Sequence, residues 1–373
     1  MYFADNHGPK GLFGRPDDPP TLHYIGIRLG ALVEQTALLG RRFNDVKYGK
    51  RVAEIIENLK PDAVLSGNTP SDAQGIIIKT CKAANIRVIH WLQDIYSTAI
   101  TKLVAQKFGF LGTASIGAYY QWLDRRQFRA CDMVVAITKD FVPFVRDWAP
   151  STQITVIENW GALDDIPRGA KDNPWSREHG LNERFAFLYS GTLGRKHNPM
   201  FLQKLAQTFG PDLLTVAVSQ GMGTEQLKAL QTTDPQPALR LLPLQPAERL
   251  PDVLATADVL VATIEADAGM FAVPSKVLSY LCAGRPILLA ASEANLAART
   301  VIRADAGFVV NPDDETGFIA AAQRLRADPD LRARLGANGH AYAERTFDLT
   351  RITDRFENVL QGPAASQPMA EAV

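Results

Sequence analysis

The sequence predicts an α/β protein built as two doubly wound, Rossmann-like domains, and three observations predict it. Short apolar runs of strand length alternate with amphipathic helical stretches along the chain, the pattern of parallel sheets covered by helices. The alternation is broken at 161–175 (GALDDIPRGAKDNPW), which is rich in Gly, Pro and charge without apolar period and reads as an inter-domain linker. The length, 373 residues, is also long for one domain when a domain takes ~150.

In the first half, 22–29 reads as a strand and 47–59 as an amphipathic helix stopped by Pro61. A buried strand at 63–66, a helix at 73–84 and a strand at 87–91 follow. After a long irregular segment come a helix at 119–130, a strand at 133–137, a helix at 141–148 and a strand at 154–157. The second half repeats the logic, with strands at 185–189, 213–218, 239–242, 259–263, 287–290 and 307–310. Its helices are expected at 200–209, 225–232, 246–257, 276–283, 316–327, 331–346 and 349–360, ahead of a disordered tail at 361–373.

Composition excludes several classes. Lys+Arg equals Asp+Glu at 40 each, so bulk charge does not point to a nucleic-acid binder. Cys81, Cys131 and Cys282 have neither disulfide nor metal spacing and read as buried thiols in a reducing compartment. No secretory signal or bilayer-length apolar run is evident, so a cytoplasmic protein, soluble or peripheral on the inner face of the membrane, is expected. The acidic pairs Asp17-Asp18, Asp164-Asp165 and Asp313-Asp314 read as solvated turns, and no metal site is expected.

Chemistry concentrates at two helix starts. In FLYSGTLGRKHNP (from Phe187) a strand breaks into a Gly-bearing turn, and a helix opens with Asn198 as cap and Pro199 at its first position. Arg195, Lys196 and His197 crowd the positive end of that helix dipole, where cations are unfavourable unless an anion is present. In PSKVLSYLCAGRPIL (from Pro274), Ser275 or its neighbour caps a second short helix ended by Gly284, and Lys276 again sits in the first turn. A solvated basic turn explains either one alone. Two such starts in one domain fit a shared diphosphate better, because helix N-termini and Gly-rich turns are recurrent phosphate sites.

These stretches, with VLVATIEADAGMFAVPSK between them, resemble the donor domain of glycosyltransferase family 4, most of all the bacterial exopolysaccharide (colanic-acid-type) enzymes. VVAIT (134–138) and ITVIENW (154–160) are similar to segments of that family's first domain. The resemblance implies a GT-B fold, two Rossmann-like domains facing each other across a cleft. The domains would be 1–165 on the acceptor side, 176–346 on the nucleotide-sugar donor side, and a helix at 347–360 crossing back. It further implies that Arg195 and Lys276 bind the donor diphosphate, stabilising charge as it develops on the leaving nucleotide. Gly191, Thr192 and Gly194 would supply backbone near it, and Lys196 and Ser275 would support them. No cofactor is implied beyond the nucleotide-sugar as substrate.

Two departures from the family accompany it. The family's glutamate pair falls on Phe271 and Ser279; Ser279 would touch the ribose more weakly than a carboxylate, and Glu265 or Asp267 either substitutes or belongs to a solvated loop. The family's opening strand and Gly-rich loop have no counterpart, since Met1–Asp5 resembles the strand that follows them. Either an upstream segment precedes Met1 or the chain is a degenerate member.

On the acceptor side, RVIHWLQDIY (87–96) is a strand ending in polar residues. The resemblance places Asp94 near the reacting sugar, with Gln93 beside it. His90 is a rival, although a lone His on an apolar strand is more often core. FGFLGTASIGAYYQWL (108–123) is uncharged, aromatic and flanked by Lys102, Lys107, Arg125, Arg126 and Arg129. It reads as an interfacial segment (102–129) touching anionic lipid, or as a helical lid. The expected function is therefore sugar transfer from a UDP- or GDP-linked donor to a saccharide, lipid-linked in the first of those readings, with retained configuration in cell-surface glycan synthesis. The rivals are a catalytically silent partner of the same fold and a nucleotide-sugar epimerase.

Overall fold

The computed structural model describes residues 2–4, 18–27, 29, 38–194, 196–265 and 275–362. The chain forms two compact units, Met1–Glu158 with Thr353–Val373, and Asn159–Ile352.

In the first unit, β1 (Tyr2–Ala4) pairs in parallel with β2 (Ile25–Ile27), narrower than the strand expected at 22–29. α1 (Leu38–Leu59) begins well before the expected residue 47 and packs on α2 (Ser71–Ala83). β3 (Ala63–Gly67), β4 (Arg87–Leu92), β5 (Met133–Ala136) and β6 (Gln153–Val156) form a parallel sheet in chain order, with Ser66 opposite His90 and Trp91 opposite Val135.

The segment expected to be irregular is helical. α3 (Tyr96–Gly112) leads through a π-helical turn at Thr113–Gly117 into α4 (Ala118–Ala130). The N-cap residue of α3, Ile95, makes no side-chain cap bond. The Ser97 amide of this helix donates instead to Asp124, 27 residues away, at 3.1 Å. A cap supplied by tertiary structure leaves no signature at the helix start itself. The last helices of this unit are α5 (Val142–Trp148) and, far along the chain, the portion of α14 (Leu349–Gln361) beyond Ile352. There Arg87 donates to the Val359 carbonyl at 3.2 Å, and the Trp91 and Phe356 rings meet edge-on at 5.0 Å.

The stretch expected to be a loose linker is built into the second unit. Ile166 is 3% exposed and Trp175 is fully buried. Asn173 caps the short α6 (Pro174–Glu178) and donates to the Asp252 carbonyl and Thr256 Oγ1 at 3.1 and 3.2 Å. Its polar composition serves turns and caps that a periodicity test cannot see.

The strands β7 (Phe185–Thr192), β8 (Leu213–Gln220), β9 (Leu239–Leu242), β10 (Val259–Thr263), β11 (Ile287–Ala290) and β12 (Gly307–Val310) form a parallel sheet in the order β12-β11-β10-β7-β8-β9. The sheet is buried on both faces. Leu188 joins one apolar core and its neighbours Phe187 and Tyr189 the other. α7 (Met200–Phe209), α8 (Met222–Thr233) and α12 (Glu315–Ala327) contribute to one core, and α9 (Leu250–Ala255), α10 (Ser275–Ala283) and α11 (Leu296–Arg303) to the other. α13 (Pro329–Thr346) supplies both. Asp314, from one of the acidic pairs, is the α12 cap, accepting from the Gly317 amide at 2.8 Å. The strand order reverses between β7 and β10, and in such sheets ligands sit beyond the strand ends at that point.

Candidate functional site

β7 ends where its neighbours allow it to end. Gly191, at φ +127°, turns the chain in a conformation costly for other residues, and a Cβ there would lie 3.2 Å from Lys276 Cε. The loop beyond is pinned from behind. The Leu193 amide donates to the Gln220 carbonyl at 2.8 Å, and the Gly223 amide donates to the Leu193 carbonyl at 2.9 Å. Asn198 Oδ1 accepts from the Met200 amide at 2.9 Å, the cap expected at the start of α7. The Glu265 amide donates to the Lys196 carbonyl at 2.9 Å, tying the loop to the end of β10.

These elements surround a cavity of ≈ 400 Å³, lined on its polar side by Gly191, Thr192, Lys196, His197, Ser275 and Lys276. Leu244, Ala247 and Leu250 supply an apolar wall, and Gln245 lies between them. Gln245 accepts from Trp175 Nε1 at 3.2 Å, so the former linker stretch holds this wall.

Lys276 is the centre of the polar side. Its Nζ donates to Tyr189 Oη at 2.5 Å and lies 3.3 Å from His197 Nε2. Tyr189 Oη in turn donates to the Thr192 carbonyl at 2.9 Å, and the Gly194 amide donates to His197 Nδ1 at 3.0 Å. Burial, then the charge of Lys196, lowers the Lys276 amine to about 7. Burial, then Lys276 and Lys196, lowers His197 to about 3, and burial raises the Tyr189 phenol. Such an amine is poised to take up an anion's charge.

Of the residues expected here, the structure gathers Gly191, Thr192, Lys196, Ser275, Lys276 and Ser279 around one cavity. Gly194 stands one bond back, holding His197, and Glu265 acts through its backbone. Arg195, Asp267 and Phe271 lie outside the described residues. Asp94 and Gln93 follow β4 in the first unit, Asp94 exposed and Gln93 half-buried. His90, on β4, packs on Phe128 with ring centroids 5.5 Å apart, and burial lowers it to about 4. Sequence reasoning missed Tyr189, Tyr280 and Gln245. Two tyrosines in runs otherwise apolar were the available signal, since a buried hydroxyl needs a partner.

Cys81, Cys131 and Cys282 are all buried and unpaired. Among the described residues, no cluster of three or more His, Cys, Asp or Glu side chains is placed to hold a metal ion. No described helix is long and apolar enough to cross a membrane.

Residues 172–342 match the family model described as glycosyl transferases group 1. No curated protein sequence matches the chain. Among solved structures, sucrose-phosphate synthase from Thermosynechococcus elongatus superposes with a TM-score of 0.72 at 16% identity, covering 93% of this chain and 86% of that one. Anabaena Alr3699/HepE in complex with UDP-glucose gives 0.66 at 15% identity over 84% of this chain and 81% of that one. WaaG, a glycosyltransferase involved in lipopolysaccharide biosynthesis, gives 0.61 at 16% identity over 88% and 97%. Residues 172–342 thus resemble the glycosyl transferases group 1 family, within a chain that has the two-domain α/β fold known as GT-B.

Proposed function

We propose that the second unit binds a UDP- or GDP-linked sugar and that the protein transfers this sugar to a saccharide acceptor. The observation that carries the proposal is Lys276, a half-buried amine facing a cavity at the carboxyl ends of β7 and β10. A diphosphate there would be met by Lys276 and by the Gly191 backbone. Fixed donors in such a site stabilise the charge that develops as the sugar–phosphate bond breaks. The apolar wall of Leu244, Ala247 and Leu250 suits the nucleobase, and Ser279 lies within reach of a ribose hydroxyl. Arg195 is assigned to the same diphosphate, and Asp94 to the acceptor hydroxyl with His90 and Gln93 beside it. Retention of configuration and a place in exopolysaccharide or cell-surface glycan synthesis complete the reading.

The experiment is calorimetry with UDP-glucose and GDP-mannose, alongside hydrolysis and transfer assays. Binding of one donor, weakened ~10-fold or more in Lys276→Ala, is expected from the loss of a charge-assisted contact. Donor binding without turnover would favour the catalytically silent reading, and conversion of the donor with no acceptor the epimerase.

A lipid-linked acceptor is favoured by exposed apolar side chains on α3 and α4. Phe110 and Leu111 are 83% and 78% exposed, Trp122 is 52% exposed, and the Arg126 guanidinium lies 5.4 Å from the Trp122 ring centroid. An aromatic, basic-edged helical surface suits the headgroup region of an anionic bilayer. Sedimentation with phosphatidylglycerol vesicles should retain the protein and lose it in Phe110→Ser/Leu111→Ser, with donor affinity unchanged.

A further inference from the structure

The hydrogen bonds that Gly194 and Tyr189 donate give the contacts around Lys276 a direction, and that direction bears on its protonation state. The Gly194 amide donates to His197 Nδ1 at 3.0 Å, so Nδ1 is the ring's acceptor. A neutral imidazole carries one proton, which therefore sits on Nε2. Nε2 faces Lys276 Nζ at 3.3 Å. An ammonium there would set donor against donor, whereas a neutral amine accepts the Nε2 proton with its lone pair. The remaining contact agrees. Tyr189 Oη spends its proton on the Thr192 carbonyl, so it accepts one from Nζ. The relay Gly194 N–H to His197, His197 N–H to Lys276, Lys276 N–H to Tyr189 and Tyr189 O–H to Thr192 is complete only with Lys276 uncharged.

We propose that His197 is a positioning residue that holds Lys276 as a neutral amine, and that a diphosphate entering the cavity binds together with one proton taken up by Lys276. The proposal rests on the donor-site reading above. The step balances simply: the amine lone pair takes a proton from the buffer and gives up its hydrogen bond from His197 Nε2–H, the resulting ammonium donates to a phosphate oxygen, and no other covalent bond forms or breaks. Burial supplies the push toward neutrality. Among the described residues, the groups that act on Lys276 include Lys196 and His197 from the loop and Tyr189 from β7, with Tyr280 of α10 acting on Tyr189 behind it. Glu265, at the end of β10, supports the loop through its amide. His197 stays neutral through the working range, which leaves Lys276 as the group that titrates. Affinity for a diphosphate should accordingly fall by up to ~10-fold per pH unit once pH rises above the free amine's midpoint.

Two measurements decide it. Trace acetylation of Lys276, read by peptide mass spectrometry from about pH 5 to about pH 10, needs no nucleotide. A midpoint near 7 is expected, moving up by more than ~1 unit in His197→Leu. A wild-type midpoint in the ordinary lysine range overturns the proposal whether or not the variant folds. Calorimetry with UDP-glucose and GDP-mannose near pH 8, in HEPES and in Tris, counts protons. Uptake of about one per bound donor is expected, with a clear reduction in His197→Leu. Donor binding with no proton uptake overturns this proposal alone. Absence of binding by either donor overturns the donor-site reading, and the proton-linked half of this proposal with it.

Discussion

Tyr280 Oη accepts the Ser190 amide proton at 2.9 Å and lies 3.2 Å from the Val261 carbonyl, to which it donates. One buried hydroxyl thus fastens α10 to β7 and β10 together, at the point where the strand order reverses. It ties together the elements that carry Gly191 and Lys276, since Gly191 follows Ser190 directly and Lys276 lies about one helical turn before Tyr280.

Tyr280→Phe should therefore cost more than a surface change. It strands the Ser190 amide and removes the bond to Val261 while leaving the packing intact. A loss of ~1–3 kcal/mol is expected from an orphaned buried donor, read as a lower urea midpoint at unchanged slope. Donor affinity should fall with it as α10 loosens.

Gly191→Ala tests the close approach. At φ +127° an alanine is strained by ~1–2 kcal/mol, and its methyl would press on Lys276 Cε at 3.2 Å. Calorimetry should show a loss of donor affinity of ~10-fold or more, larger than the accompanying fall in melting temperature explains.

Lys276→Met should reveal a pH signature in stability. Burial lowers the folded-state amine to about 7, below its unfolded value, so the unfolded chain binds the extra proton between those two values. The wild type is then penalised at low pH and gains stability as pH rises through that window. The methionine variant has no such gain. Its advantage in melting temperature should be largest near or below pH 7 and should shrink toward about pH 10.

Asp124 offers a paired test in the first unit. It is 5% exposed, accepts from the Ser97 amide at 3.1 Å and from Ser71 Oγ at 3.4 Å, and burial raises its carboxyl above the usual range. Asp124→Asn keeps an acceptor and removes a buried charge, so urea unfolding at neutral pH should show stability equal to the wild type or higher. Asp124→Leu keeps the branched shape but strands the Ser97 amide, and should cost ~1–3 kcal/mol or more.

Much of the site was legible because local rules produced it. The apolar run ending at Tyr189, the Gly that turns it, the Asn198 cap and the lysine in the first turn of α10 each have a local cause. What was not legible depends on residues distant in sequence. Trp175 and Asn173 sit in a stretch with no apolar period, yet they bind Gln245 and Asp252, and only those partners make the stretch part of a core. The Ser97 amide in the first turn of α3 is met by Asp124 from α4, a partner 27 residues away that no local pattern announces.

By itself, then, the order of apolar and polar residues determined alternating strands and helices, parallel sheets, and two cationic helix starts in the second half of the chain. Periodicity and end-capping act over a few residues, so they survive in a linear reading. Tertiary structure alone decided that His197 and Tyr189 would bracket Lys276. The protonation of a buried amine depends on the partners that folding brings within 3.3 Å of it, and those partners lie 79 and 87 residues away along the chain.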